Sequence, residues 1–117
     1  MNTYNTISEI VAKSEIVGDS IAIAVYDKVD KDANIICAKA ADELLTISDI
    51  TASFVIGNNG EKTCISGRSL GDINVQVILE KLGGGGHITL AGAQVGNTDT
   101  YAVKNELIEK IKEYFNN

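Results

Sequence analysis

The sequence predicts a single α/β domain in which a mixed β-sheet is flanked by helices, and three observations carry that expectation. Short apolar runs rich in β-branched residues, such as SIAIAVY at 20–26, alternate with segments whose apolar residues recur every three or four positions. Two strand patterns meet across GNNG at 57–60, a sequence suited to a hairpin turn with positive φ. The 117 residues are enough for one core that buries roughly two-thirds of the surface an unfolded chain exposes. The domain is therefore expected to span residues 1–117, with 1–19 a leading helix or linker.

The elements follow in order. Thr6-Ile7-Ser8-Glu9 has the form of a capping box, and Ile7, Ile10 and Val11 sit at helical spacing, so a first helix is expected over about 6–17, ended by Gly18 and Asp19. Residues 20–26 read as a buried strand and 27–32 as a charged turn. Ile36, Cys37, Ala40, Ala41 and Leu44 recur at three and four, which makes a second helix over 33–45. Residues 52–56 and 62–66 are the strands of the hairpin. Val75, Ile78, Leu79 and Leu82 share one face of a third helix, 74–82, which runs into the glycines at 83–86 as its exit. Residues 93–95 read as another strand. Asp99 or Thr100 caps a last helix whose Leu107, Ile108, Ile111 and Phe115 are expected to point inward.

Composition excludes several classes of function. Apolar residues make up 44% and charged residues 22%, ordinary globular usage. A net charge of −6 and a pI near 4.6 argue against a broad basic surface for duplex DNA or anionic lipid, so any phosphate must be held locally. No apolar run approaches the roughly 20 residues of a membrane helix, and the N-terminus lacks the form of a signal or transit peptide. The expectation is a soluble, cytoplasmic chain without membrane contact. Cys37 and Cys64 lie far beyond CxxC spacing, and with one histidine they cannot form a standard zinc site; reduced buried thiols are expected.

Two segments carry chemistry. Residues 83–87, GGGGH, place four glycines before the only histidine. A helix exit needs one or two glycines, whereas four allow backbone N–H groups to converge on an anion beside His87. The second segment, ISGRSLGDIN at 65–74, flanks Arg68 with Ser66 and Ser69, so a guanidinium and two hydroxyls can meet one phosphate. The competing reading is an ordinary arginine paired with an acid such as Asp72. The intervening helix spans about 13 Å at 1.5 Å per residue, so the two segments converge only if flanking elements fold them together. The aspartates at 27–34 fail the EF-hand register, and neither GxGxxG, GxxxxGK[ST] nor GxSxG occurs in context. One histidine with scattered acids supports neither a serine nor a metal hydrolase.

Residues 65–95, ISGRSLGDINVQVILEKLGGGGHITLAGAQV, resemble the DHH-associated domain, first type, which follows the catalytic domain of DHH-family phosphoesterases. ADELLTISDITASFVI at 41–56 is also similar, so the resemblance covers about 40–117, and residues 1–40 match more loosely. Within the family the segment looks most like the membrane-anchored GdpP-type cyclic di-AMP phosphodiesterases. The resemblance implies the substrate-binding half of a manganese-dependent phosphodiesterase acting on cyclic di-AMP or its linear dinucleotide. No Asp-His-His occurs here, so the manganese would lie on a DHH catalytic domain elsewhere in the same parent chain. The chain alone would carry no catalytic residue and no cofactor, and it would be inactive.

Carried over by position, the substrate-binding residues are Ser66, Arg68, Ser69, Gly84, Gly85, Gly86 and His87, with Asn74 orienting the loop. Gly67 departs from an alanine common in relatives, and Ile88-Thr89-Leu90 replaces more polar residues. Three other functions share parts of this pattern. The first is the substrate domain of a nanoRNase or RecJ-like exonuclease acting on short single-stranded nucleic acid. The second is a non-catalytic RNA-binding module like the C-terminal domain of alanyl-tRNA synthetase. The third is an oligomerisation domain; a homodimer is compatible with all of them.

Overall fold

The strand formed by Ile21–Val29 has apolar residues on both faces, and that dictates layers on both sides of the sheet. Ile21 and Ile23 enter one apolar cluster, and Ala22, Ala24 and Tyr26 enter the other. The computed structural model describes residues 3–116. In chain order the elements are α1 (Thr3–Ala12), β1 (Glu15–Val17), β2 (Ile21–Val29), α2 (Ala33–Leu44), β3 (Ala52–Asn58), β4 (Thr63–Ser69), α3 (Val75–Glu80), β5 (Gly85–Gly86), β6 (Leu90–Val95) and α4 (Thr100–Phe115). The strand order is β1-β2-β3-β4-β6-β5, with β2 and β3 parallel and the other pairs antiparallel. The sheet is mixed, as the sequence predicts.

One face buries Phe54, Ile65 and Ala91 against Ile78 and Leu79 of α3 and Leu107 and Ile111 of α4. The other buries Val55 and Cys64 against Ile36, Cys37, Ala40 and Leu44 of α2, with Ile10 of α1 behind. The small side chains of α2 bring it close to the sheet. Ser53 Oγ donates to the Ala41 carbonyl at 2.7 Å, and a Cβ on Gly57 would lie 2.7 Å from Cys37 Sγ. Cys37 and Cys64 are buried and free. Resting on β3 and β4, α2 leaves β6 bare on its side: Leu90, Gly92 and Gln94 of that strand are exposed while Ala91 and Ala93 are buried.

Most departures from the sequence expectation share one cause, since pairing partners distant in sequence extend or convert local patterns. The expected helix over 6–17 ends at Ala12, and Glu15–Val17 instead pair with β2 around Gly18 at φ +66. Thr6 to Glu9 lies inside α1 and does not cap it. β2 runs to Val29, so only residues 30–32 turn; Asp30 braces them by accepting from the Asp32 N–H at 2.9 Å and the Tyr26 hydroxyl at 2.7 Å. Gly57 and Asn58 belong to β3, and the hairpin turns at 59–62, where the Asn59 N–H donates to the Lys62 carbonyl and Gly60 takes φ +101. β4 extends through Ser69 and β6 begins at Leu90, each longer than expected. Asp99 caps α4 through the Tyr101 and Ala102 N–H groups, whereas Phe115, expected inside, is 56% exposed.

Candidate functional site

Three of the four glycines are required by the backbone they build, and the fourth is not. α3 ends in a Schellman motif: Gly83 takes φ +84, its N–H donates to the Glu80 carbonyl at 3.1 Å, and the Gly84 N–H donates to Leu79 at 2.8 Å. A Cβ on Gly84 would overlap the Gly92 carbonyl oxygen and lie 2.7 Å from Ala93 Cβ. Gly86 takes φ +143, and a Cβ there would sit 2.5 Å from the Leu90 carbonyl oxygen. At Gly85 a Cβ would meet nothing within 4 Å.

The run does not form a convergent amide cradle. Besides the donors used by the Schellman motif, the His87 N–H donates to the Leu90 carbonyl at 2.7 Å, and the His87 carbonyl accepts from the Leu90 N–H at 3.3 Å. With Gly85 opposite Gly92, antiparallel alternation directs the Gly86 N–H off the sheet edge. What the glycines supply is a surface without side chains.

Register places the remaining residues. Arg68 pairs with Leu90, and Leu90 with His87, so the three side chains form one row across β4, β6 and the end of β5 on a common face. Ser66, Gly92 and Gly85 form the neighbouring row on the same face. Neighbouring strands lie about 5 Å apart, so the Arg68 and His87 backbones are ~10 Å from each other despite the helix between them in sequence. The insertion of β6 between β4 and β5 folds the two segments together.

Arg68 is anchored at its base. Its Nε donates to Asp42 Oδ1 of α2 at 2.8 Å and its Nη1 to the Gly67 carbonyl at 2.9 Å, and no described residue takes Nη2. The acid it pairs with is thus Asp42 rather than Asp72. Its side chain is 12% exposed and that of Asp42 65%, so one end of the guanidinium is held while Nη2 keeps donors that bond no described residue. Ser69 projects from the opposite face, where its Oγ accepts from the Gly71 N–H at 2.9 Å; it does not join Arg68 and Ser66. Asn74 caps α3, its Oδ1 accepting from the Val77 N–H at 3.0 Å. Next to it, the Val75 N–H donates to the Ile88 carbonyl, which ties the helix start to the turn after His87.

A cavity of about 430 Å³ opens over the second row, with Ser66, Gly84, Gly85 and Gly92 in its lining and Asn34 and Gln94 beside them. A larger cleft of about 630 Å³ lies between the end of α4 and the β1–β2 turn, lined by Ile21, Ile73, Ile111 and Phe115, and holds none of the substrate-binding residues named from sequence. Ser66 and His87 stand one row and two strands apart, ~12 Å between backbones, so the hydroxyl has no base beside it. Among the described residues no group of three His, Cys, Asp or Glu is placed to hold a metal ion, and no helix is long and apolar enough to cross a membrane. The arrangement can bind and orient an anion, and it holds no activated nucleophile. Sequence reasoning missed Asp42, Leu90, Asn34, Gln94 and Gly92; all lie in segments already singled out, and none carried a local signal of its role.

The DHHA1 domain model matches residues 18–117. The chain is 44% identical over 109 residues to the cyclic-di-AMP phosphodiesterase GdpP of Geobacillus thermodenitrificans, covering 92% of this chain and 17% of that protein. It is 40% identical over 116 residues to the cyclic-di-AMP phosphodiesterase PdeA of Listeria monocytogenes, covering 98% of this chain and 18% of that protein. It thus spans less than a fifth of the length of these relatives. Among solved structures, an exopolyphosphatase-related protein from Bacteroides fragilis superposes with a TM-score of 0.76 at 19% identity, over 98% of this chain and 36% of that one.

Proposed function

The chain belongs to the DHHA1 domain family, and from that premise we propose that it is the substrate-binding domain of a DHH-type phosphodiesterase. It would hold a nucleotide phosphate on the face that carries Arg68 and His87. The observation that carries this reading is the row Arg68, Leu90, His87, in which a guanidinium with free donors and the only imidazole share one open face beside a glycine floor. Similarity to cyclic-di-AMP phosphodiesterases over nearly the whole chain makes cyclic di-AMP or its linear dinucleotide the proposed substrate.

In this mechanism Asp42 holds Arg68 at Nε, so that Nη2 and the second Nη1 proton meet phosphate oxygens with little entropy left to lose. His87 donates from the other side. The bare backbone of Gly85 and Gly92 lets the ligand approach closely, and the glycine amides contribute space more than donors. Manganese on a DHH domain would supply the water-activating chemistry, and no described residue is placed to hold it. The role of this chain is position and charge.

The test is a backbone-amide NMR titration with linear and cyclic di-AMP in phosphate-free buffer, for the wild type and Arg68→Ala. Shifts centred on Arg68, Leu90 and Gly85 to His87, lost in the variant, are expected. A ligand that binds equally well to both proteins would overturn the reading.

A further inference from the structure

The reading above accounts for the row containing Arg68 and leaves the neighbouring cavity without a role. Ser66 is 6% exposed, lines that cavity, and its hydroxyl makes no hydrogen bond to any described residue. The hydroxyl lines an open cavity, where it is placed to bond a group that enters. Gly85 and Gly92 share its row, and packing demands neither: the first would put a Cβ in open space, the second in ordinary contact at 3.4 Å with the Ile65 carbonyl oxygen. The floor is therefore flat for a reason other than the fold.

Two amides stand over this floor. Gln94 pairs with Cys64, one row further along β6 from Gly92 and on the same face, and Asn34 projects from the first turn of α2. Both line the cavity, both are exposed, and neither side chain bonds any described residue. Gln94 lies two rows from Leu90, ~14 Å along the strand, and the long side chains of Arg68 and Gln94 narrow that span. A planar surface with unpaired carboxamides at its edge is the complement of a nucleobase, because an amide offers the adjacent donor and acceptor that the amino group and ring nitrogen of adenine require.

We infer that this cavity receives the base of the bound nucleotide, with Asn34 and Gln94 reading an adenine edge and Ser66 bonding a polar group of the nucleoside. The inference rests on the nucleotide-phosphate reading and adds the residues that set base preference.

Side-chain NH₂ and backbone resonances of the chain would be followed during titration with adenosine, AMP, UMP and ribose 5-phosphate, for the wild type and the Asn34→Ala/Gln94→Ala double variant. Both positions are exposed, so the variant keeps the fold, which unchanged resonances elsewhere verify. The expected result is that AMP binds the wild type at least about tenfold more tightly than ribose 5-phosphate or UMP. In the double variant AMP falls to the ribose 5-phosphate level while ribose 5-phosphate is unaffected. An AMP advantage that is absent in the wild type, or that survives in the double variant, overturns the base pocket; UMP binding as tightly as AMP overturns the adenine edge. If no phosphate compound moves Arg68 or His87, the phosphate reading fails on its own. Adenosine then decides the pocket, because shifts at Asn34 and Gln94 support it and their absence removes it.

Discussion

Adding one methyl group to each of two adjacent glycines separates what the fold needs from what the ligand needs. A Cβ on Gly84 would overlap the Gly92 carbonyl and come within 2.9 Å of Ala93 Cα, both backbone atoms that cannot rotate away. Gly84→Ala must therefore push β5 off β6, at an overpacking cost of about 1–3 kcal/mol. At a urea slope of roughly 1.5–2 kcal/mol/M the unfolding midpoint falls by ~0.5–2 M. Gly85→Ala meets nothing within 4 Å. It restricts mainly the unfolded chain, so stability should hold or rise by up to about 1 kcal/mol. Yet its methyl stands on the floor that the ligand is proposed to touch, so dinucleotide affinity should drop tenfold or more. Urea unfolding and NMR titration of both variants decide the matter. A Gly85→Ala protein that binds like the wild type would refute the floor as a contact surface, and a Gly84→Ala protein as stable as the wild type would refute the packing account.

Other substitutions test the neighbouring links. Arg68→Ala should weaken dinucleotide binding by about 10- to 100-fold, the range of a lost charge-assisted bond, with little loss of stability because Asp42 is left in water; Arg68→Lys should recover only part, since the fork is gone. Asp42→Ala should also weaken binding in titrations, and an increase would show that Asp42 competes with the ligand. Burial, and then its bond to Asp30, push the Tyr26 hydroxyl up to about 12 from 10.0, so its contribution is complete below pH ~10 and is lost as pH rises through about 12. Unfolding free energy measured across that window should fall in the wild type and stay flatter in Tyr26→Phe. The Asp32 N–H, and then Tyr26, hold Asp30 below the usual carboxylate range, so its contribution is present above pH ~4 and fades as pH falls through the lowered value; Asp30→Asn should flatten the acid limb of the same curve. Gly67→Ala brings a methyl within 3.1 Å of the Leu79 and Phe54 side-chain ends. A shift of a few tenths of an ångström offsets the gain in strand propensity, and the net change should stay under about 1 kcal/mol by urea unfolding.

What could be read from the sequence is what local pattern determines. The α2 periodicity, the β2 run and the Asp99 cap depend on residues within a few positions of one another, and each appears in the structure, β2 running three residues past its expected end. β1 and β5 are strands only because β2 and β6 lie beside them; Gly85–Gly86 has no strand propensity at all. The same distinction divides the site. Arg68 and His87 could be named from their segments, but the element that joins them, β6, follows both in the chain, and the carboxylate that holds Arg68 precedes it by 26 residues.

The glycine run shows how a correct premise can rest on a misassigned cause. Four glycines exceed what a helix exit requires, yet the excess is not an amide nest. One glycine turns the chain out of α3, one lets β5 lie against β6, and one takes a φ of +143 before the turn at His87. Only Gly85 is left over, and it lies in the row of Ser66, whose hydroxyl bonds no described residue. A bare backbone and a cavity-lining hydroxyl that bonds no described residue stand on one open face. A nucleoside lying on that face would touch both, which is why base preference should be decided at Asn34 and Gln94 and not at the phosphate.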